Sequence, residues 1–331
     1  MNVRELKTAL NYDVDATERQ RRLTRQALGA APVVLFVLVV CIVGLQSERF
    51  VTRETAVQIM AQAAPTVVVA VGMTFVLLTA GVDLSVGALM FVGAGLAGHL
   101  AVAGWPLGLA AGVMVAVGVA GGFVNSVLVT RLGLMPFVAT LAMLYIGRGA
   151  GRWITETRAI NLPESFLVLG ASSWLGVPTV AWIASAVAVA GQLVLSSTPF
   201  GRQLYALGAN AEAARKVGVN TARVTAAVYI VSGACAGLGG LLALSQLGAV
   251  SPRFGELYEF DAITAAVLGG TSLYGGHGRV LPGTVLGALL LKTVFSALVS
   301  VQANPYLYPL ITAAIIFTAV LVDTLRTRLA D

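Results

Sequence analysis

The chain has 331 residues, 57% of them hydrophobic and 11% charged, with a mean hydropathy of +0.87. A soluble domain carries about 25% charged residues, so a soluble enzyme is excluded. The net charge of +6 is therefore read by where the charges lie, and it does not point to nucleic acid. Apolar runs of about 18 residues or more recur along the chain, which marks an all-α, polytopic integral membrane protein.

In chain order the sequence predicts about ten transmembrane helices, several of them broken by Gly or Pro. A basic segment, 1–27, precedes the first span at 28–45. Its basic lead is long and no small-residue cleavage site follows, so it does not read as a cleavable signal. The second span, 57–80, is interrupted by Pro65. The third runs 84–103 and the fourth 105–130. A short fifth begins near Met135, and a polar segment follows at 148–178. The sixth covers 180–195, the seventh 224–247, a short eighth 262–273, the ninth 280–301 and the tenth 306–322. The transmembrane domain is thus 28–324, with a short tail, 325–331. An apolar run of about 12 residues reaches only about 18 Å, too little for a bilayer core. That makes the fifth and eighth spans the anomalies to explain. Cys41 and Cys235 both lie in apolar runs and form no metal or disulfide pattern.

The Lys and Arg census orients the chain. With the N-terminus inside, the inner segments hold Arg4, Lys7, Arg19, Arg21, Arg22, Arg25, Arg131, Arg202, Arg215, Lys216, Arg223, Arg279, Arg326 and Arg328. The outer ones hold Arg49, Arg53, Arg148, Arg152, Arg158 and Arg253, and Lys292 falls within a span. The bias predicts that both termini are cytoplasmic.

Asp83 is the first residue to need an explanation. It stands in "LLTAGVDLSVGALM", between Gly81 and Gly87, and a charge at bilayer depth costs about 2.5–3.5 kcal/mol on insertion scales. Asp83 and Ser85 open the third span, so the carboxylate is expected to cap its free N–H groups, favoured by the helix dipole. Two readings stand: a purely structural cap, or a cap that also shapes a translocation path through the break.

The longest predicted inner connection, 197–223, contains a compact helix signature. Asn210 is a good N-cap, Glu212 lies in the first turn, Arg215 and Lys216 in the last, and Gly218 suits a left-handed end. Two turns are marginal alone in water, so the helix is either a plain connector or one that docks onto a partner. Asp261 reads as the N-cap of the eighth span, Glu256 and Glu259 as a solvated outer rim, and Lys292 has no evident partner. Gly269, Gly270, Gly275, Gly276 and Gly278 crowd one turn, with Pro282 near the next helix start. A tight turn with close helix packing explains them better than a phosphate cradle.

Other chemistry is poorly served. Lys7, Lys216 and Lys292 follow Leu6, Arg215 and Leu291, so no G-K pair exists and the chain has no P-loop of its own. His99 and His277 have no second ligand at helical spacing, so neither metal nor catalytic residues are assigned, and no cofactor is expected on this chain.

Three stretches in order, "AGVDLSVGALM", "YALGANAEAARKVGVN" and "FDAITAAVLGGTSLYGGHGRVLPGTVLGALLL", resemble the permease subunits of ribose/xylose/galactose-type ABC sugar importers. The likeness runs from about Val57 to the C-terminus. It implies a multi-pass protein of the bacterial inner membrane, working with a second permease copy or paralogue in the lipid bilayer. It also implies a separate ABC ATPase subunit with tandem nucleotide-binding domains, using ATP and Mg²⁺, and a periplasmic sugar-binding protein. On this resemblance Gly208, Asn210, Glu212, Ala213, Ala214, Arg215 and Gly218 correspond to the segment that couples to the ATPase. The helix breaks around Gly81, Asp83, Ser85, Gly87, Asp261, Gly269, Gly270, Gly275 and Gly276 are the candidates for the path. An ion-coupled secondary transporter of a small polar solute is the alternative, because such proteins use acidic residues within spans. A membrane-embedded enzyme would need clustered Asp, His or Glu, which the sequence does not offer.

Overall fold

The computed structural model describes residues 50–328 and part of 34–45. The basic segment 1–27, the start of the first predicted span and the last residues of the tail lie outside the described residues. The stretch Phe36–Leu45 is an apolar helix.

Twelve further α-helices follow among the described residues. They are α1 (Arg53–Leu78), α2 (Val86–Val102), α3 (Leu107–Thr130), α4 (Pro136–Ile154), α5 (Glu164–Ala171), α6 (Thr179–Ser197), α7 (Pro199–Ala209), α8 (Ala211–Lys216), α9 (Thr221–Leu247), α10 (Tyr258–Leu268), α11 (Val285–Ser300) and α12 (Tyr308–Arg328). Local chemistry sets several of their ends. The Thr52 hydroxyl accepts from the Thr55 N–H to cap α1, and the Asn220 side-chain oxygen accepts from the Arg223 N–H to cap α9. Gly248, at φ +69°, ends α9 in the left-handed region. Strand structure is slight: Ile160–Asn161 pairs antiparallel with Ala249–Val250, and Ser173–Trp174 with Val177–Pro178.

Five helices among the described residues are long and apolar enough to cross a membrane: Arg53–Leu78, Leu107–Thr130, Thr179–Ser197, Thr221–Leu247 and Val280–Ser300. The centre of the bundle is α1 with α9. Every residue of α1 from Ala63 to Leu78 is buried, and α9 is buried over most of its length. A helix apolar on all sides belongs inside, surrounded by other helices. Helix α9 also packs closely on α3. A Cβ on Gly118 would strike the Gly233 carbonyl oxygen, and one on Gly233 would strike that of Gly118. Such small-residue contacts are how helices approach where lipid removes the hydrophobic drive.

The helices fall into two groups of four, α1–α4 and α9–α12, that pack alike. In the first group α2 touches α3 and α4; in the second α10 touches α11 and α12. Across the groups, α9 packs on α2 and α3, as α1 packs on α10 and α11. The segment before α2 and the segment before α10 therefore occupy corresponding places.

Several expectations are corrected. Pro65 does not divide its helix, because α1 is continuous through it and enclosed by neighbours. The fifth helix is not short: α4 has 19 residues and carries Arg148 and Arg152 inside it, so the polar segment begins later than 148. The eighth starts earlier and ends sooner than 262–273, as the 11-residue α10. A kinked segment, Val280–Thr284, precedes α11, so Pro282 lies in the kink and not in a regular first turn.

Candidate functional site

Asp83 lies in the chain break between α1 and α2 and is fully buried. It is not the N-cap of α2. That position is Ser85, whose side chain makes no cap bond. One Asp83 carboxylate oxygen accepts from the Ser85 N–H at 3.0 Å and the Ser85 hydroxyl at 2.6 Å, with the Asn125 amide nitrogen at 3.4 Å. The other accepts from the Ser232 hydroxyl at 2.8 Å. Asn125 also donates to the Ser85 hydroxyl oxygen at 2.8 Å. The charge thus ties the break to α3 and α9, and these donors are what let a carboxylate sit away from water. Gly81 lies beneath the Tyr229 side chain.

In the first turn of α2, Gly87 meets the loop before α10. A Cβ on Gly87 would strike the Gly255 carbonyl oxygen and the Glu259 carboxylate, and a Cβ on Gly255 would strike the Gly87 carbonyl oxygen. Further along α2, Gly98 faces Val250. Gly87 and Gly98 are about 16 Å apart along the helix axis. The chain from Val250 to Gly255 runs alongside α2 as a series of tight turns, with Phe254 N–H donating to the Ser251 carbonyl at 2.9 Å and Glu256 N–H to the Arg253 carbonyl at 3.0 Å. The short eighth span is thus the 11-residue α10, entered through a turn-rich loop packed on the start of α2.

Glu259 in the first turn of α10 is buried, which corrects its reading as a solvated rim; Glu256 is exposed. The Oε2 of Glu259 has no hydrogen-bond partner. Opposite, the Arg148 guanidinium donates to the Phe254 and Gly255 carbonyl oxygens, both at 2.6 Å. Asp261 does not cap α10 either, since Leu257 holds that position and Asp261 lies in the first turn. Its carboxylate pairs with Lys292 of α11 at 2.6 Å, supplying the partner that the sequence did not reveal.

The glycine-rich turn closes the other end of α10. Gly269 packs against the Gly283 backbone, and Gly270, Gly275 and Gly276 take positive φ values of 88°, 86° and 68°. Gly276 N–H donates to the Leu78 carbonyl at 3.0 Å, at the end of α1. Helix α7 seats on the same place. A Cβ on Gly208 would strike the Leu78 carbonyl oxygen and the Gly276 nitrogen. The Tyr205 hydroxyl donates to the Gly278 carbonyl at 2.8 Å. Tyr205 lies outside the spanning helices; burial raises its pKa, and the nearby Arg279 charge partly opposes that.

Helix α8 has the expected ends. The Asn210 side chain accepts from the Ala213 N–H at 2.9 Å, and Gly218 has φ +90°. Glu212 pairs with Lys216 at 2.8 Å on the exposed surface. Ala214 is buried against the chain's own helices, whereas Ala213 and Arg215 are exposed. Contacts thus join α7 to Gly276 and Leu78; the chain itself leads from Leu78 to Asp83, which meets Asn125 and Ser232, and on to Gly87, which meets Gly255 with Glu259 and Arg148 beside it. Sequence reasoning singled out Gly208, Gly276, Asp83, Ser85 and Gly87 of this series and missed Asn125, Ser232, Tyr205, Glu259 and Arg148 as parts of it.

A family model described as branched-chain amino acid transport system / permease component matches residues 55–321. The chain is 35% identical over 295 residues to the ribose import permease RbsC of Haemophilus influenzae, covering 88% of this chain and 91% of that one. It is 36% identical to the RbsC of Bacillus subtilis (87% and 90%). It is 34% identical to the D-allose transport system permease AlsC of Escherichia coli K12 (89% and 91%). No solved structure matches the chain.

Proposed function

The chain belongs to the family of branched-chain amino acid transport system permease components, and from that premise we propose that it is the membrane-spanning pore subunit of an ATP-driven sugar importer. The family description names a different solute class. The sugar reading rests on the relatives, two named for ribose and one for D-allose. In this reading the chain crosses the bacterial inner membrane about ten times with both termini in the cytoplasm. A separate ABC ATPase with tandem nucleotide-binding domains, using ATP and Mg²⁺, docks on α7 and α8. A periplasmic binding protein delivers the sugar to the opposite face, and a second permease copy or paralogue completes the pore.

One observation carries the mechanism. Gly208 on α7 touches both Leu78, at the entrance to the Asp83 break, and Gly276, in the turn that follows α10. A push on α7 and α8 therefore meets the two discontinuous helices directly, with no flexible connector between. Discontinuous helices sit at membrane depth where they are enclosed by protein or face a water-filled path, which suits a gate. The chain contributes no P-loop and so borrows its energy.

An ion-coupled transporter is the alternative, drawing on Asp83, Glu259 and Asp261 as intramembrane carboxylates. Proteoliposomes separate the two. With the ATPase and the D-ribose-loaded binding protein present, uptake should require ATP, and the permease alone should be inert. Ion-gradient-driven uptake by the permease alone would overturn the proposal.

A further inference from the structure

The side chain that the contact series ends on, Arg148, has no role in the reading so far. It lies twelve residues beyond Pro136 in α4, about 18 Å along the helix, between Gly147 and Gly149. It is half-buried, and its two terminal nitrogens bind two consecutive carbonyls, Phe254 and Gly255, at 2.6 Å each. Those carbonyls belong to the turn-rich loop before α10, which offers them to no helix. Gly87 and Gly255 leave no space between their backbones. The loop is thus clamped on one side by α2 and on the other by one guanidinium. Glu259, buried with Oε2 unpartnered, lies close to the same guanidinium, since both flank the Cβ position of Gly87.

We propose that Arg148 is a positioning residue for transport: a two-pronged latch that holds the loop 251–257 against the start of α2 in the closed pore, with Glu259 as its counter-charge, and that must let go for the path to open. The proposal rests on the importer reading. It assigns α4 a part in gating that the docking helices do not have. The fork is what matters. A guanidinium can serve two carbonyls in one plane, whereas an ammonium is a single point charge. Arg148→Lys therefore keeps the charge beside Glu259 but loses the two-pronged hold.

The test uses the whole complex in nanodiscs, permease with ATPase and binding protein, with D-ribose and D-allose as probes. ATP hydrolysis is read with and without loaded binding protein. For Arg148→Lys, melting temperature and ATPase co-purification should match the parent. Unstimulated hydrolysis should rise, and the ratio of stimulated to unstimulated rates should fall at least threefold. Arg148→Gln alone strands the Glu259 charge and should lower folded yield. Arg148→Gln with Glu259→Gln should recover the yield and still lack the stimulation. Normal stimulation in either Arg148→Lys or the double variant would overturn the latch. So would failure of both to fold, because Arg148 would then serve the bundle's stability and not its opening. A parent complex that shows no stimulated hydrolysis would instead count against the importer reading.

Discussion

Gly208 of α7 and Gly276 of the glycine-rich turn lie backbone to backbone, with the Leu78 carbonyl in the same contact. This places the short surface helices directly on the ends of α1 and α10. Neither glycine has room for a side chain there, so the contact is sensitive to a single methyl group. Overpacking of this kind costs about 1–3 kcal/mol. Gly208→Ala should lower the melting temperature of the permease and reduce stimulated ATP hydrolysis in the complex. Gly112 of α3, which has nothing within 4 Å of its Cβ position, is the comparison site. If Gly208→Ala melts and couples like the parent, the contact is looser than drawn and cannot carry motion.

Asp83 holds donors from two helices, so substitutions should divide by what they leave unpaired. Asp83→Leu strands the Ser85 N–H and the Ser85 and Ser232 hydroxyls, at about 1–3 kcal/mol for each buried group left without a partner. Asp83→Asn keeps an acceptor. Folded yield after size-exclusion chromatography should drop several-fold for Asp83→Leu and stay near the parent for Asp83→Asn. Equal yields would remove the network from any account of stability. A well-folded Asp83→Asn that fails to transport would place the charge itself on the path.

The two side chains of the Asp261–Lys292 pair are 16% and 14% exposed, so removing one partner strands a largely desolvated charge. The cost of breaking such a pair is about 3–5 kcal/mol. Lys292→Met should lower the melting temperature, and adding Asp261→Leu should restore most of it. A single variant that melts with the parent would show that the pair is solvated in the membrane.

What the sequence made legible was periodic or local. The apolar runs gave α1, α3, α6 and α9, and the order Asn210, Glu212, Arg215, Gly218 gave α8 with the correct cap. What it hid was long-range. Asp83 meets Asn125 and Ser232, 42 and 149 positions away, and no local pattern announces such partners. Glu259 was misread because Glu256, three residues earlier, is an ordinary exposed acid and the two look alike in a window. Arg148 was placed in a polar segment because its glycine and arginine neighbours suppress the apolar signal of α4. Helix α10 left one trace, a span too short to cross. That shortness was real: α10 has 11 residues.

Orientation is open to a direct check. In a chain lacking Cys41 and Cys235, a cysteine at Ser173, exposed in the hairpin after α5, should react with an impermeant maleimide added to whole cells. A cysteine at Ala211 should react only after the membrane is opened. Ready labelling of Ala211 from outside would reverse the topology and put α7 and α8 out of reach of any ATPase.

The central claim is that α8 passes ATP-driven motion into the membrane, and Ala213 tests it most directly. Its side chain is exposed, while the adjacent Ala214 is buried in the chain's own packing. Ala213→Arg therefore leaves the permease fold intact and puts a bulky charge where the ATPase would dock. Stimulated ATP hydrolysis of the assembled complex is the quantity to measure, beside the melting curve of the permease alone. The account predicts an unchanged melting curve with hydrolysis, or ATPase co-purification, reduced at least tenfold. Normal assembly with normal stimulated hydrolysis would contradict it and leave α8 a plain connector between two spans.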